Sequence, residues 1–174
     1  MQILQTPRLI LREFTPGDID PLAKVLGDPD AMLYYPEPYD RAGVEQWITR
    51  NILRYRNDGV GLWAMELIAT RELIGDCGIV RQQVDGDELY EIGYHVRRDH
   101  WRHGYATEAA RACRDWAFAH LQTDRLISLI RPENIASRRV AERIGMSFWK
   151  EVTWRGLPHH VYSALRPEPG VSRY

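Results

Sequence analysis

The sequence predicts an α/β protein, with helices lying on the faces of one mixed sheet of about seven strands. Segments with strand and helix character follow the order strand, two helices, three strands, helix, strand, helix, two strands. The chain has 174 residues, 44% of them hydrophobic, which suits one globular domain. Neither an internal repeat nor a linker divides it. We therefore expect a single domain over residues 1–166 and a loose C-terminal tail over 167–174.

The first half of the chain is predicted to form a strand, two helices and an antiparallel meander. Branched and apolar residues mark the strands, and apolar residues spaced by three and four mark the second helix. Pro, Gly and Asp residues separate these segments as turns and stops. In order, we expect a strand at 8–14, helices from Asp18 to about Leu26 and from Arg41 to about Asn57, and strands at 61–68, 73–84 and 89–96.

The second half centres on a helix from Tyr105 to His120, whose small residues on one face allow it to lie close on a sheet. The strand 125–130 follows this helical crossover, so it is expected to lie parallel to the strand 89–96. A helix over 134–143 then ends at Gly145. Strands at 146–153 and 157–165 complete the prediction as a hairpin.

Composition and local patterns exclude several classes of function. The net charge of −1 does not suggest direct binding to nucleic acid. No apolar run approaches the roughly 20 residues that span a bilayer, and the N-terminus lacks signal-peptide character, so a cytoplasmic protein without membrane contact is expected. Cys77 and Cys113 form no Cys-x-x-Cys pair and are interpreted as buried reduced thiols. The loop histidines lack a carboxylate at fixed spacing, so no metal site is predicted.

The stretch from Trp101 to Ala109 joins a strand to the central helix, and a phosphate is its most natural ligand. The first turn of a helix carries unpaired backbone N–H groups and the positive end of the macrodipole. Gly104 and Ala106 keep the approach to those groups open. An alternative remains, in which Gly104 only breaks a loop and the nearby basic residues form a solvated face. These residues are Arg97, Arg98, Arg102 and His103.

Over nearly its whole length the chain resembles the GNAT (Gcn5-related N-acetyltransferase) superfamily, and more specifically its RimJ/RimL-type branch of ribosomal-protein N-terminal acetyltransferases. Four motifs in the family's order carry the resemblance. They are Thr6-Pro7-Arg8-Leu9-Ile10-Leu11-Arg12, Glu91-Ile92-Gly93-Tyr94, Trp101 to Ala109, and Asn134-Ile135-Ala136-Ser137 followed by Glu142-Arg143-Ile144-Gly145-Met146.

The resemblance implies that acetyl-CoA binds as cosubstrate, with its pyrophosphate on the backbone amides from Arg102 to Thr107. It also implies that the sheet splays between the strands 89–96 and 125–130, where pantetheine pairs with the edge from Tyr94 to Val96. The amide of Val96 would then polarise the thioester carbonyl. Asn134 either contacts the cofactor or caps a helix, and both roles can coexist. The cofactor-binding set is Tyr94, His95, Val96, Arg102, His103, Gly104, Tyr105, Ala106, Thr107, Asn134, Ser137 and Arg143.

The implied chemistry is direct attack of a neutral primary amine on the thioester in a ternary complex. Glu91 is the leading general-base candidate, although a strand Glu also suits solvent exposure or an arginine pair. Glu66 and His95 are weaker candidates. Ser137 matches the residue that donates a proton to the leaving thiolate, and the alternative for it is local helix capping.

The acceptor is either a protein N-terminus or a small amine. Tyr34 and Tyr35, with Glu91, are predicted to contact it, unless the tyrosines only pack the edge of a loop. The pair His159-His160 lies where it could border the acceptor site. A non-catalytic acyl-CoA-binding regulatory module is the alternative function, and the chain is expected to be a monomer or a homodimer.

Overall fold

The computed structural model describes residues 1–167 and contains one mixed eight-stranded sheet in the order β1-β2-β3-β4-β5-β6-β8-β7. The strands are β1 Gln2–Gln5, β2 Leu9–Arg12, β3 Leu62–Leu67, β4 Leu73–Val84, β5 Asp87–Val96, β6 Arg125–Ile130, β7 Ser147–Trp154 and β8 Leu157–Leu165. The helices are α1 Ile19–Leu26, α2 Arg41–Asn57, α3 Tyr105–His120 and α4 Ile135–Arg143. Of the tail predicted over 167–174, residues 168–174 lie outside the described residues. Within residues 1–167 we find no helix that could span a membrane.

The structure confirms the predicted order of elements but adds a strand at the N-terminus. β1 pairs antiparallel with β2, joining Gln2 to Arg12 and Gln5 to Ile10. This strand is only four residues long, and a short partly exposed edge strand carries little alternation of polar and apolar residues. Seven predicted strands therefore become eight.

The sheet splays between β5 and β6, as predicted. The two strands are parallel and pair at Tyr90 with Leu126 and at Glu91 with Ile127. β5 continues to Val96 while paired with β4 along its length. A cleft therefore opens in the sheet beyond Glu91, between the C-terminal halves of two parallel strands.

Two hydrophobic cores cover the two faces of the sheet. One lies beneath α3 and α4, and the other lies beneath α1 and α2. Cys77 and Cys113 are buried in the first core with their Sγ atoms 3.6 Å apart, which confirms that both thiols are buried. Burial raises the pKa of the Cys77 thiol, so this thiol is a poor nucleophile.

Candidate active site

The turn before α3 exposes the amides that the sequence predicts as an anion cradle. Arg102 (φ 63°) and Gly104 (φ 82°) both adopt left-handed backbone conformations, and α3 begins at Tyr105. The first backbone hydrogen bond of the helix runs from Glu108 N to Gly104 O at 3.0 Å. The amides between Gly104 and Glu108 therefore precede the helical ladder and face outward, as an anion site requires.

The N-terminal Thr6-Pro7-Arg8 segment supports this turn from behind. Glu108 accepts hydrogen bonds from Thr6 Oγ1 (2.6 Å), Arg8 N (3.0 Å) and Arg8 Nε (2.6 Å). Arg8 Nη1 also donates to His103 O at 3.0 Å. Burial alone would raise the pKa of Glu108, but the hydrogen bonds from Thr6 and Arg8 outweigh it and lower that pKa. The motif at residues 6–12 and the motif at residues 101–109 thus form one structural unit, although they are far apart in the sequence.

The side chains of the cradle are exposed and partly stacked. Arg102 and His103 are exposed, and the ring of His103 stacks on Tyr105 with centroids 5.8 Å apart. The guanidinium of Arg8 also lies over the ring of Tyr105, 4.5 Å from its centroid. Tyr105 therefore serves in packing, as its place in the first helical turn suggests.

A surface groove of about 610 Å³ runs from the cradle along α3. Arg143 lines it from the end of α4, and Arg111 Nη2 ties the two helices together by donating to Arg143 O at 2.9 Å. Three arginines, Arg8, Arg111 and Arg143, border this groove together with the carboxylates of Glu108 and Asp115. The lining is Gln5, Thr6, Pro7, Arg8, Gly104, Thr107, Glu108, Arg111, Ala112, Asp115 and Arg143.

The edge of β5 that faces the splay carries amide groups directed into the cleft. Arg97 N donates to Ile74 O in β4 at 2.8 Å, and the amides of a strand alternate between its two edges. The amide of Val96 therefore points away from β4. The carbonyl of Val96 lies on that same edge and accepts from Trp101 Nε1 at 2.7 Å. The indole of Trp101 thus closes the cradle onto the end of β5.

Glu91 sits where the ladder between β5 and β6 ends. Its Oε2 accepts from Gln82 Nε2 at 2.7 Å, and its Oε1 accepts from Leu129 N at 3.3 Å. Burial raises the pKa of this carboxyl, and the two hydrogen bonds only partly counteract the effect. A carboxylate in this state is suited to accept a proton nearer neutral pH.

A cavity of about 300 Å³ opens beside Glu91 and is built from segments that are distant in sequence. Tyr34 and Tyr35 come from the loop between α1 and α2, and Tyr34 OH crosses to donate to Glu133 O at 3.3 Å. The structure thus places both predicted tyrosines with Glu91 on the wall of one cavity. Other walls come from α2, the strands β4 and β5, the loop after β6, the start of α4, and the hairpin of β7 and β8. Their residues include Trp47, Arg50, Arg54, Gln82, Tyr94, Arg131, Asn134, Ser137, Trp154, Arg155 and His159.

Asn134 and Ser137 also line this cavity, at the start of α4. Asn134 Oδ1 accepts from Ser137 N at 3.1 Å, so Asn134 is the helix N-cap. The carbonyl of Ser137 accepts from Tyr94 OH at 2.9 Å across the splay. Both structural contacts of Ser137 use its backbone, and its Oγ has no hydrogen-bond partner within residues 1–167.

His95 belongs to a buried network that the sequence did not reveal. We predicted a cofactor contact for His95. Its imidazole lines the cavity beside Glu91, with Nδ1 2.7 Å from Asp76 Oδ1 and Nε2 2.6 Å from Tyr35 OH. Trp47 Nε1 donates to the other oxygen of Asp76 at 2.9 Å. The network fixes Tyr35, which also forms part of the cavity wall. An aspartate inside the buried strand β4 was the available signal for it.

Two candidates from the sequence remain, Glu66 and His159. Glu66 pairs with Arg12 (3.0 Å) and Arg71 (2.8 Å) and is absent from the described lining of the cavity beside Glu91. His159 lines the cavity, its Nδ1 is 2.9 Å from Leu157 O, and burial lowers the pKa of its imidazole.

Comparison with known proteins identifies the group to which this architecture corresponds. The family model described as "Acetyltransferase (GNAT) domain" matches residues 8–147. The uncharacterized protein YkkB of Bacillus subtilis is 42% identical over 160 residues, covering 91% of this chain and 93% of YkkB. The uncharacterized N-acetyltransferase YnaD of the same species is 31% identical over 172 residues, covering 95% of this chain and 98% of YnaD.

Solved structures share the architecture. An acetyltransferase from Agrobacterium tumefaciens superposes with a TM-score of 0.80 at 30% identity, covering 92% of each chain. RimL, a ribosomal L7/L12 α-N-protein acetyltransferase solved in complex with coenzyme A, superposes with a TM-score of 0.77 over 95% of this chain and 98% of RimL. RimL is 15% identical to this chain, and at this level of identity the comparison shows only that the two proteins share a fold.

Proposed function

The chain belongs to the GNAT acetyltransferase family, and from this premise we propose that it transfers an acetyl group from acetyl-CoA to the primary amine of a small molecule. The single observation that carries the proposal is the cavity of about 300 Å³ beside Glu91, at the point where the sheet splays. The cavity joins a carboxylate with a raised pKa, a serine hydroxyl and the cofactor edge of β5. Its size and the loop over it favour a small amine above a protein N-terminus.

The cradle and the edge of β5 hold the acetyl donor in this proposal. Acetyl-CoA supplies an activated acyl thioester. The amides between Gly104 and Glu108 bind its pyrophosphate, and Arg143 borders the groove for the nucleotide half. The amide of Val96 points into the splay and is suited to donate to the thioester carbonyl as negative charge develops there.

Glu91 is assigned the role of general base. An alkylamine is mostly protonated at neutral pH and must lose a proton before or during attack. The raised pKa of Glu91 brings this carboxyl closer to the operating pH, where a base is most effective. The contacts to Gln82 and Leu129 hold both carboxylate oxygens at the mouth of the splay.

Ser137 is assigned the role of proton donor to the departing thiolate. Its backbone is engaged by Asn134 and Tyr94, so the hydroxyl is available to the cleft. The reaction in this scheme passes directly from thioester to amide and needs no enzyme nucleophile. The burial of both cysteines is consistent with that route.

The test combines binding with turnover. Thermal unfolding is measured with and without acetyl-CoA, and a concentration near 100 times the dissociation constant should stabilise the protein by about 2.7 kcal/mol. The protein is then incubated with acetyl-CoA and either small amines or peptides with free N-termini, while free thiol and acetylated product are measured. Small amines should be acetylated. A stabilising effect without product from any small amine, or product from peptides alone, would overturn the proposal.

A further inference from the structure

Four arginines line the acceptor cavity, and three of them have no ion pair within the described residues, whereas Arg131 lies 3.6 Å from Glu133. Within residues 1–167, Arg50, Arg54 and Arg155 have no carboxylate within ion-pair distance. In contrast, Arg8 pairs with Glu108, and the guanidinium of Arg12 pairs with two carboxylates. The cavity therefore contains concentrated positive charge without a matching set of acidic side chains.

Aromatic rings and an amide hold two of these guanidinium groups in place. Arg155 lies over the ring of Trp154, 4.3 Å from its centroid, and Trp154 lines the cavity beside it. Arg54 Nη1 donates to Asn51 Oδ1 at 3.4 Å. A guanidinium that stacks on a ring keeps its N–H edge free to bind a carboxylate or phosphate in the plane. Both side chains are thus positioned without being neutralised.

The nearest acidic groups are committed to other contacts. Glu91 faces Arg54 and Arg155 at longer range, but its oxygens accept from Gln82 and Leu129. Asp76 is engaged by His95 and Trp47, and Asp58, which also acts on Arg54, lies 3.8 Å from Arg81. Burial lowers the pKa of Arg54, and repulsion from Arg50 and Arg155 adds to this effect, which Asp58 and Glu91 only partly offset. An anionic ligand would relieve that repulsion.

We propose that the acetyl acceptor carries a carboxylate or phosphate in addition to its amine, and that Arg54 and Arg155 bind this anionic group while the amine faces Glu91. This inference rests on the proposed function, because it names the substrate class of the same site. A small amphoteric molecule satisfies both the arginines and the carboxylate of a cavity of about 300 Å³. A polyamine would place further positive charge beside the arginines and is disfavoured.

The first experiment compares matched amines that differ in the anionic group. Phenylalanine is tested against phenethylamine, and phosphoethanolamine against ethanolamine, with acetyl-CoA and detection of the acetylated product. At least one anionic amine should exceed its neutral partner by tenfold or more in kcat/KM, and the better pair identifies carboxylate or phosphate. Equal or faster acetylation of the neutral amines would overturn this inference while leaving the proposed function intact. No product from any of them would overturn both.

The second experiment assigns the effect to the arginines. In Arg54→Gln and Arg155→Asn, KM for the preferred anionic amine should rise about tenfold, while KM for its neutral partner and for acetyl-CoA stays within twofold. Arg56→Gln is the matched control, because Arg56 is exposed on the same helix and is absent from the cavity lining. Equal losses for the anionic and neutral amines in the cavity variants would contradict charge recognition and indicate a structural role.

Discussion

The cradle that we assign to the cofactor and the cavity that we assign to the acceptor are built in opposite ways. The cradle is a contiguous turn, from Trp101 to Glu108, that presents backbone amides, and the arginine behind it is paired with a carboxylate. The cavity collects side chains from helix, loop, strand and hairpin, and three of its four arginines have no carboxylate partner within residues 1–167. A ligand common to a whole family can thus be bound by backbone, while the side chains that select the acceptor change independently.

The largest expected effect is on kcat, and it distinguishes a catalytic role of Glu91 from a role in binding. Glu91→Gln should lower kcat by about 10²- to 10⁴-fold, the usual contribution of a general base. The amide keeps the size of the side chain and its ability to hydrogen-bond, so KM for acetyl-CoA should stay within a few-fold. The measurement is steady-state kinetics with the preferred amine as a function of pH.

The dependence of kcat/KM on pH tests the role of Glu91 further. In the wild type, kcat/KM should rise as pH increases through the raised pKa of Glu91, above the ordinary value of 4.5, because the base must be deprotonated. The variant should lack that limb and keep only the limb set by the amine. Glu88→Gln, on the exposed part of the same strand, is the control. A variant with wild-type kcat and the same limb would exclude Glu91 as the base.

The next effect tests the cradle alone. Gly104→Ala places a Cβ at φ 82°, which costs roughly 1–2 kcal/mol, and relaxation of that strain would disturb the amides beside it. We expect acetyl-CoA binding to weaken by about tenfold, with KM for the amine little changed. Gly86→Ala is the matched control, because Gly86 has φ 88° in the distant turn between β4 and β5. Equal weakening in both variants would mean that only global stability is involved.

These two regions also differ in how far the sequence predicts them. The cradle depends on a strand-to-helix turn, a glycine and free amides, all of which are local, and the turn and its glycine are found where predicted. The cavity depends on contacts such as Tyr34 with Glu133 and Asp76 with His95, which follow only from tertiary packing. Sequence reasoning therefore found individual wall residues but missed Asp76 and the unpaired arginines. The eighth strand was missed because it is short and lies at an edge.

A smaller effect on kcat is expected for Ser137, on the cavity side of the splay. Ser137→Ala should lower kcat by about tenfold, because a thiolate leaves more readily than most groups and gains less from a proton donor. The substitution removes only the hydroxyl, since Asn134 and Tyr94 bind the backbone of Ser137. Steady-state kinetics should show an unchanged KM for acetyl-CoA. An unchanged kcat would assign Ser137 a purely structural place at the start of α4.

The smallest effect concerns the support behind the cradle. Glu108→Gln should raise KM for acetyl-CoA by about two- to threefold and lower the free energy of unfolding at pH 7 by about 1 kcal/mol or less, because Arg8 is substantially exposed. The pKa of Glu108 is lowered in the folded state, so its contribution is present above the ordinary value of 4.5 and is lost as pH falls through the folded-state value. Urea unfolding should therefore show the difference between wild type and variant shrinking at acid pH. If KM for the amine rose instead, the cradle and the cavity would be coupled through α3, and the separation drawn between them would fail.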